Sequence, residues 1–384
     1  MTSPPEPIYV TRPHLPPLAD VVKLLEEVWD CRILTNDGPL HQQLEDELAL
    51  FLGVEHLSLF TNGTLALVVA LKALRLQGEV ITSPFSFIAT SEALSWNGLE
   101  PMFADIDTRS FGLDPASIEA CITPRTSAIL AVHCYGFPCD VEAIQRLADD
   151  YSLRVIYDAA HAFAVDCHCG SLLQHGNLSI LSFHATKVFT TFEGGAIISP
   201  DAKTKKRIDR LKNFGFVDDA TVAINGINAK MSELHAAVGL AQLPGIRAAI
   251  ELRRAVAEAY LRHLAGLEHL QLPDFSQAAR PNYAYFPVLI ADGAPINSDD
   301  LAEHLRNHGI IPRRYFHPLI PDFQCFRSNA SADPARYPEA VRAARQVLCL
   351  PIYPDLALAQ VERIAGLIRQ RFGGIGIAAD TTCS

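Results

Sequence analysis

From Gly53 to about residue 200, short apolar runs alternate with stretches of helical periodicity, and few folds accommodate that alternation. Val80-Ile81-Thr82, Met102-Phe103-Ala104, Ala128 to Val132, Val155-Ile156-Tyr157, Ile180-Leu181-Ser182 and Ala196-Ile197-Ile198 read as buried strands. Helices fit between several of them, one with Asp140 placed to cap it. Strands alternating with helices build a mostly parallel sheet covered on both faces, so the expected fold class is α/β. Ligands of such sheets bind beyond the carboxyl ends of the strands. Candidate site residues are therefore sought just after each apolar run.

The flanking segments complete the organisation. Residues 1–30 are Pro-rich at first and helical in pattern from about Pro17. An amphipathic helix follows, with Leu40, Leu44, Leu48, Phe51 and Leu52 on one face and Gly53 where a C-terminal cap belongs. Residues 205–265 read as mostly helical, and 270–370 as a shorter alternation of strand and helix. The tail from Gly373 through Gly376 reads as frayed. With 384 residues, the chain is expected to form a large domain over 1–250 and a smaller C-terminal α+β domain over 251–384.

Lys and Arg number 32 against 43 Asp and Glu, a net charge of −11, and no basic run appears. That balance argues against tracking a nucleic-acid backbone but leaves room for a basic pocket for one small anion. The nine cysteines, at 31, 121, 134, 139, 167, 169, 325, 349 and 383, lack the spacing of a disulfide framework. No signal-peptide pattern opens the chain, and no apolar run reaches the ~18 residues of a membrane span. A cytoplasmic protein is expected. Cys167-His168-Cys169 has no second cysteine pair nearby and falls short of a structural zinc site, so no metal is expected. Dinucleotide, P-loop and nucleophile-elbow motifs are missing, and Gly194-Gly195 reads as a tight turn.

Four strand ends carry unusual residues. Asp158 directly follows Val155-Ile156-Tyr157, where a carboxylate is costly unless paired; it could instead cap the next helix. Lys187 lies 29 residues further on, between a buried run and the turn Phe192-Glu193-Gly194-Gly195. A lysine there could be a solvated surface group, or an amine for Schiff-base chemistry and proton transfer. Thr61-Asn62-Gly63-Thr64 precedes a helix over Leu65 to Leu76 and could cradle a phosphate, or form an ordinary capped turn. Pro84-Phe85-Ser86-Phe87 offers an aromatic ring to stack on a flat ligand, or simply core. Together these supply what pyridoxal phosphate requires: a covalent anchor, an acid for the ring nitrogen, a phosphate cradle and a stacking ring.

The order of these segments resembles the DegT/DnrJ/EryC1/StrS sugar aminotransferases, fold type I of the pyridoxal-phosphate enzymes, from about Leu34 to Leu367. The landmarks are Leu34 to Pro39, Asn62-Gly63-Thr64, Glu79-Val80-Ile81 with Phe85-Ser86-Phe87, His133 to Gly136, Asp158-Ala159-Ala160-His161, Ser182 to Lys187, Glu193 to Ala196, and Asn228 to Glu233. The resemblance implies Lys187 as the cofactor lysine and Asp158 as partner of the ring nitrogen. It implies Gly63, Thr64 and Ser182 on the phosphate, Phe87 stacked on the ring and His161 beside the 3′-oxygen. Asn228 would reach the phosphate of a second subunit, making the protein a homodimer with shared sites. Phe183 to Phe189, Leu211 to Gly215 and Arg313 to Leu319 are closest to the subgroup that aminates dTDP-4-keto-6-deoxyglucose with glutamate as donor. Arg313, Tyr315 and His317 would then touch the nucleotide-linked keto-sugar. Amination at C3, or of a UDP-linked sugar, is the alternative. A dehydratase of this fold would carry histidine in place of Lys187, and a non-catalytic regulator would not need the Lys187/Asp158 pair. Thr190, where Asn is expected, and His317, where Tyr is commoner, depart from the subgroup's pattern.

Overall fold

The computed structural model describes residues 6–373. All six expected strands form, and His56–Phe60 adds a seventh to the same sheet. In chain order they are β1 (His56–Phe60), β2 (Glu79–Thr82), β3 (Glu100–Phe103), β4 (Thr126–Val132), β5 (Arg154–Asp158), β6 (Leu178–Ser182) and β7 (Gly195–Ser199). Across the sheet the order is β1-β7-β6-β5-β4-β2-β3. Strands β2 to β6 pair in parallel, and β7 runs antiparallel to both β6 and β1.

The apolar runs are continuous because both faces of each strand are covered. Ile129, Val155 and Leu181 point into one core cluster, whereas their neighbours Leu130, Ile156 and Ile180 point into the other. The first cluster receives α1 (Leu18–Cys31) in part, and α2 (Pro39–Leu52) through Leu40, Leu44, Leu48 and Leu52. Gly53 ends α2 at φ 67°, its N–H directed to Ala49 and Leu50 carbonyls. The second cluster holds α3 (Gly63–Ala73) and α4 (Ala89–Trp96), whose first turns stand at the carboxyl ends of β1 and β2. Helix α3 begins two residues before the stretch read as helical, which puts Gly63 and Thr64 in its first turn.

The helical reading of 205–265 holds only in part. Helices Ala202–Lys212, Glu233–Gln242 and Ile246–Leu264 form, but a hairpin of Phe216–Asp218 and Thr221–Val222 interrupts them. Gly215 has φ 84°, and a Cβ there would sit 1.7 Å from the Ile224 carbonyl oxygen, so the backbone makes a turn that only glycine fits.

Residue 250 lies inside the helix Ile246–Leu264. Its Ile246, Ala249 and Ile250 pack on the large sheet; its Val256, Tyr260 and Leu264 pack in a separate cluster. That cluster covers a three-stranded antiparallel sheet of β8 (Leu270–Gln271), β9 (Phe286–Ile290) and β10 (Val347–Leu350). Ile8–Tyr9 joins this region by pairing in parallel with Ile310–Ile311. Gly374 to Gly376 of the tail lie outside the described residues. Among those described, no helix is long and apolar enough to cross a membrane.

Candidate active site

The carboxyl ends of β5 and β6, the first turns of α3 and α4, and the loop from Phe183 to Gly194 surround a cavity of about 570 Å³. Gly63, Thr64, Phe87, Asp158, His161, Ser182, Lys187 and Tyr315 all contribute to its wall. Residues far apart in sequence thus meet where a parallel sheet places its ligand.

Asp158 ends β5 and is buried. Its Oδ1 accepts the Ala160 N–H at 3.1 Å and its Oδ2 the Thr90 hydroxyl at 2.8 Å. Burial raises its pKa, against the opposing pull of these two bonds and of the Lys187 charge. The Ser86 and Thr90 hydroxyls, 2.9 Å apart, extend the chain of contacts. Sequence reading missed both hydroxyls.

His161 is held in one tautomer. The Tyr135 backbone N–H donates to its Nδ1 at 3.1 Å, so in the neutral ring Nε2 carries the hydrogen. Burial, with the Lys187 charge adding to it, holds the imidazole well below its ordinary pKa, hence neutral. Its ring stacks on Phe316 at 5.9 Å with an interplanar angle of 2°. Tyr135 adopts φ 58°, and its hydroxyl donates to the Tyr315 carbonyl, tying this wall to the 315–316 segment.

Lys187 sits on a loop fastened at its base. Phe183 N–H donates to the Gly194 carbonyl at 2.8 Å, and Thr191 N–H to the Phe183 carbonyl at 3.0 Å. Thr190 is buried in the same closure, its hydroxyl donating to Phe183 and accepting from the Phe192 N–H, each at 3.0 Å. The departure at Thr190 therefore serves the loop and does not line the cavity. Burial lowers the Lys187 pKa to about 8, opposed by the negative charge of Asp158. A substantial fraction of the amine is then neutral near physiological pH.

The floor fits a phosphate. Asn62 caps α3 by accepting the Leu65 N–H at 2.8 Å, and the first N–H groups of a helix have no intrahelical acceptor. A Cβ on Gly63 would lie 2.9 Å from the Ser182 Cβ, so only glycine brings the helix start this close to that hydroxyl. A buried carboxylate calling for a cation, a softened amine and an anion cradle around one cavity suit pyridoxal phosphate.

Three candidates lie off this wall. Asn228 is exposed and bridges to Asn213. Arg313 is exposed and exchanges backbone hydrogen bonds with Cys349. His317 is exposed as well. Phe316, within the Arg313 to Leu319 segment but not singled out there, and Tyr285, which carried no sequence signal, also line the cavity.

The model of the DegT/DnrJ/EryC1/StrS aminotransferase family matches residues 19–369. The chain belongs to this family. This aminotransferase is 47% identical over 365 residues to a dTDP-4-amino-4,6-dideoxy-D-glucose transaminase of Shigella dysenteriae, covering 95% of this chain and 99% of the relative. It is 49% identical over 364 residues to the Escherichia coli protein of the same name, covering 94% and 98%. Its fold is similar to DesI solved in the presence of its TDP-sugar product, with TM-score 0.91, 36% identity and coverage of 96% and 93%. It is also similar to NtdA of Bacillus subtilis with bound cofactor PMP, with TM-score 0.85, 28% identity and coverage of 93% and 82%. The protein is a pyridoxal-phosphate-dependent sugar aminotransferase.

Proposed function

We propose that the enzyme moves an amino group from glutamate to the keto carbon of dTDP-4-keto-6-deoxyglucose, giving dTDP-4-amino-4,6-dideoxyglucose. The names of the Shigella and E. coli relatives support this sugar. The observation that carries the chemistry is Lys187, with its lowered pKa, on the same cavity as the buried Asp158.

When bound, pyridoxal phosphate supplies an electron sink for the pair released as a C–H bond breaks. Lys187 would hold the cofactor, and its free amine would take the proton from the donor carbon and return one to the acceptor carbon. Asp158, fixed on both oxygens, would pair with the ring nitrogen and keep it cationic. Gly63, Thr64 and Ser182 would hold the phosphate, and Phe87 would stack on the ring. With its Nδ1 occupied by the Tyr135 N–H, His161 would have Nε2 free to donate to the cofactor's ring oxygen. Tyr315 contacts the sugar from the cavity wall, and Arg313 and His317 the part of the nucleotide extending beyond it.

The active unit is a homodimer in which Asn228 reaches the partner's phosphate; its exposed position, off its own cavity, supports this. Each subunit divides into domains over 1–250 and 251–384, joined within the helix Ile246–Leu264. The eight free cysteines among the described residues support a cytoplasmic setting. The test is incubation with glutamate and a panel of dTDP- and UDP-linked keto-sugars, with products identified by NMR. Amination at C4 of the dTDP sugar is expected. Exclusive amination at C3, or of UDP sugars only, would overturn this assignment.

A further inference from the structure

Cys167-His168-Cys169 has no role in the cofactor cavity, and the fold supplies what its sequence context lacks. The strands Asp166–Cys167 and Gly170–Ser171 form a tight hairpin, followed by a single 3₁₀ turn, Leu172–Gln174. This path returns His175 to the hairpin. Its Nε2 lies 3.3 Å from each of the two sulfurs, which are 2.6 Å from each other. The third donor arrives six residues after Cys169, a spacing that no cysteine-pair pattern anticipates.

These distances approach those of a coordination sphere. Around zinc, sulfur ligands sit at about 2.3 Å and imidazole nitrogen at about 2.0 Å, which places S and N roughly 3.5 Å apart and two sulfurs roughly 3.8 Å apart. The sulfur–nitrogen distances are within about 0.2 Å of this, and the sulfur–sulfur distance must widen by about 1.2 Å. Cys169 is exposed on the hairpin turn and has room to rotate outward, whereas Cys167 is buried and fixed. Two thiolates and one imidazole suit zinc among the common divalent ions, being too soft for calcium or magnesium.

We propose that Cys167, Cys169 and His175 bind one Zn²⁺ ion, the fourth position being taken by water. Binding forms two Zn–S bonds and one Zn–N bond, and releases the two thiol protons to solvent with no change of oxidation state. The ion clamps the hairpin to the sheet at the end of β6 opposite the cofactor, since His175 precedes that strand and Ser182 ends it. The hairpin in turn holds the approach to the smaller sheet. Asp166 and Arg280 exchange backbone hydrogen bonds at 3.1 and 3.2 Å, and their side chains form an ion pair at 3.2 Å. Two residues on, Asn282 donates to the His161 and Phe163 carbonyls at 2.8 and 2.9 Å. The metal is therefore a structural fastener and takes no part in transamination.

The experiment uses the full-length holoenzyme, reduced with a phosphine, stripped with a chelator and titrated with Co²⁺ as the spectroscopic stand-in for zinc. One Co²⁺ per chain is expected, with thiolate charge-transfer and tetrahedral d–d bands that Zn²⁺ abolishes, and a higher Tm with either metal. Cys169→Ser and His175→Ala, both away from the cofactor cavity, should each lose the bands and the metal-dependent rise in Tm while keeping the transamination rate. Absence of thiolate bands in the reduced wild-type protein would overturn the proposal. So would bands that persist in both variants, which would place the ion elsewhere.

Discussion

Asp158 carries a heavy electrostatic load: burial raises its pKa, and the Thr90 and Ala160 bonds offset this only in part. A cationic ring nitrogen, if the proposed pairing holds, would complete the compensation. Asp158→Ala is therefore expected to lower kcat by at least about 100-fold, the scale on which a fixed electrostatic partner acts, while the phosphate cradle still retains cofactor. A rate like that of the wild type would reduce Asp158 to a local cap. Lys187 makes a prediction in pH. Its amine reacts only when deprotonated, and burial lowers its pKa from 10.5 to about 8. Uptake of pyridoxal phosphate by the cofactor-free protein should thus accelerate with rising pH and level off above about 8. A rate still climbing near pH 10 would contradict the assignment. Their place in the cavity was legible because Asp158 directly follows an apolar run and Lys187 lies on the loop between two such runs. Thr90 was not, because its role depends on a first turn of α4 that brings it to a carboxylate 68 residues away.

At the scale of elements, α2 is joined to the helix Ala202–Lys212 by a part-buried charge cluster. Glu45 accepts from Lys205 at 2.8 Å, from Lys212 at 3.3 Å and from the Leu59 N–H at 2.8 Å. Burial pushes the Glu45 carboxyl up, but the His41 bond and the Lys212 and Lys205 charges more than reverse this, holding it far below the usual range. A carboxyl depressed in the folded state stabilises at pH above its unfolded value of about 4.3, and that stability is lost as pH falls below it. Glu45→Ala leaves the buried Lys212 with Asp209, at 3.2 Å, as its remaining carboxylate partner and should cost about 1–3 kcal/mol in denaturant unfolding at pH 7. The difference from wild type should shrink as pH drops through 4. An unchanged midpoint at pH 7 would show the cluster to be energetically idle. Six strands were readable as apolar runs, but β1 was not read as a strand because His56 and Ser58 interrupt its run. Ser58 is buried yet satisfied, donating to Asp209 at 2.7 Å. The hairpin after Lys212 was read as helix because the glycine geometry at 215 outweighs the surrounding propensity.

For the whole molecule, the fold class and the convergence of strand ends were legible from alternation alone, since a doubly covered sheet leaves few other topologies. The antiparallel entry of β7 was not, because direction leaves no mark on a run buried on both faces. Nor can one chain's sequence show that a residue such as Asn228 serves a neighbour. If the sites are shared, Lys187→Ala and Asn228→Asp subunits, each poorly active alone, should regain activity when mixed, since one site in each mixed dimer has both groups. Mixing that restores nothing beyond the parents would rule out the shared site. Lys187, in the cavity beside Asp158, is proposed to be the one lysine of the chain that holds the cofactor. Borohydride reduction of the purified holoenzyme, followed by peptide mass mapping of the entire chain, tests it most directly. Reduced cofactor is expected at Lys187 and at no other lysine; attachment elsewhere, or none, would contradict the assignment.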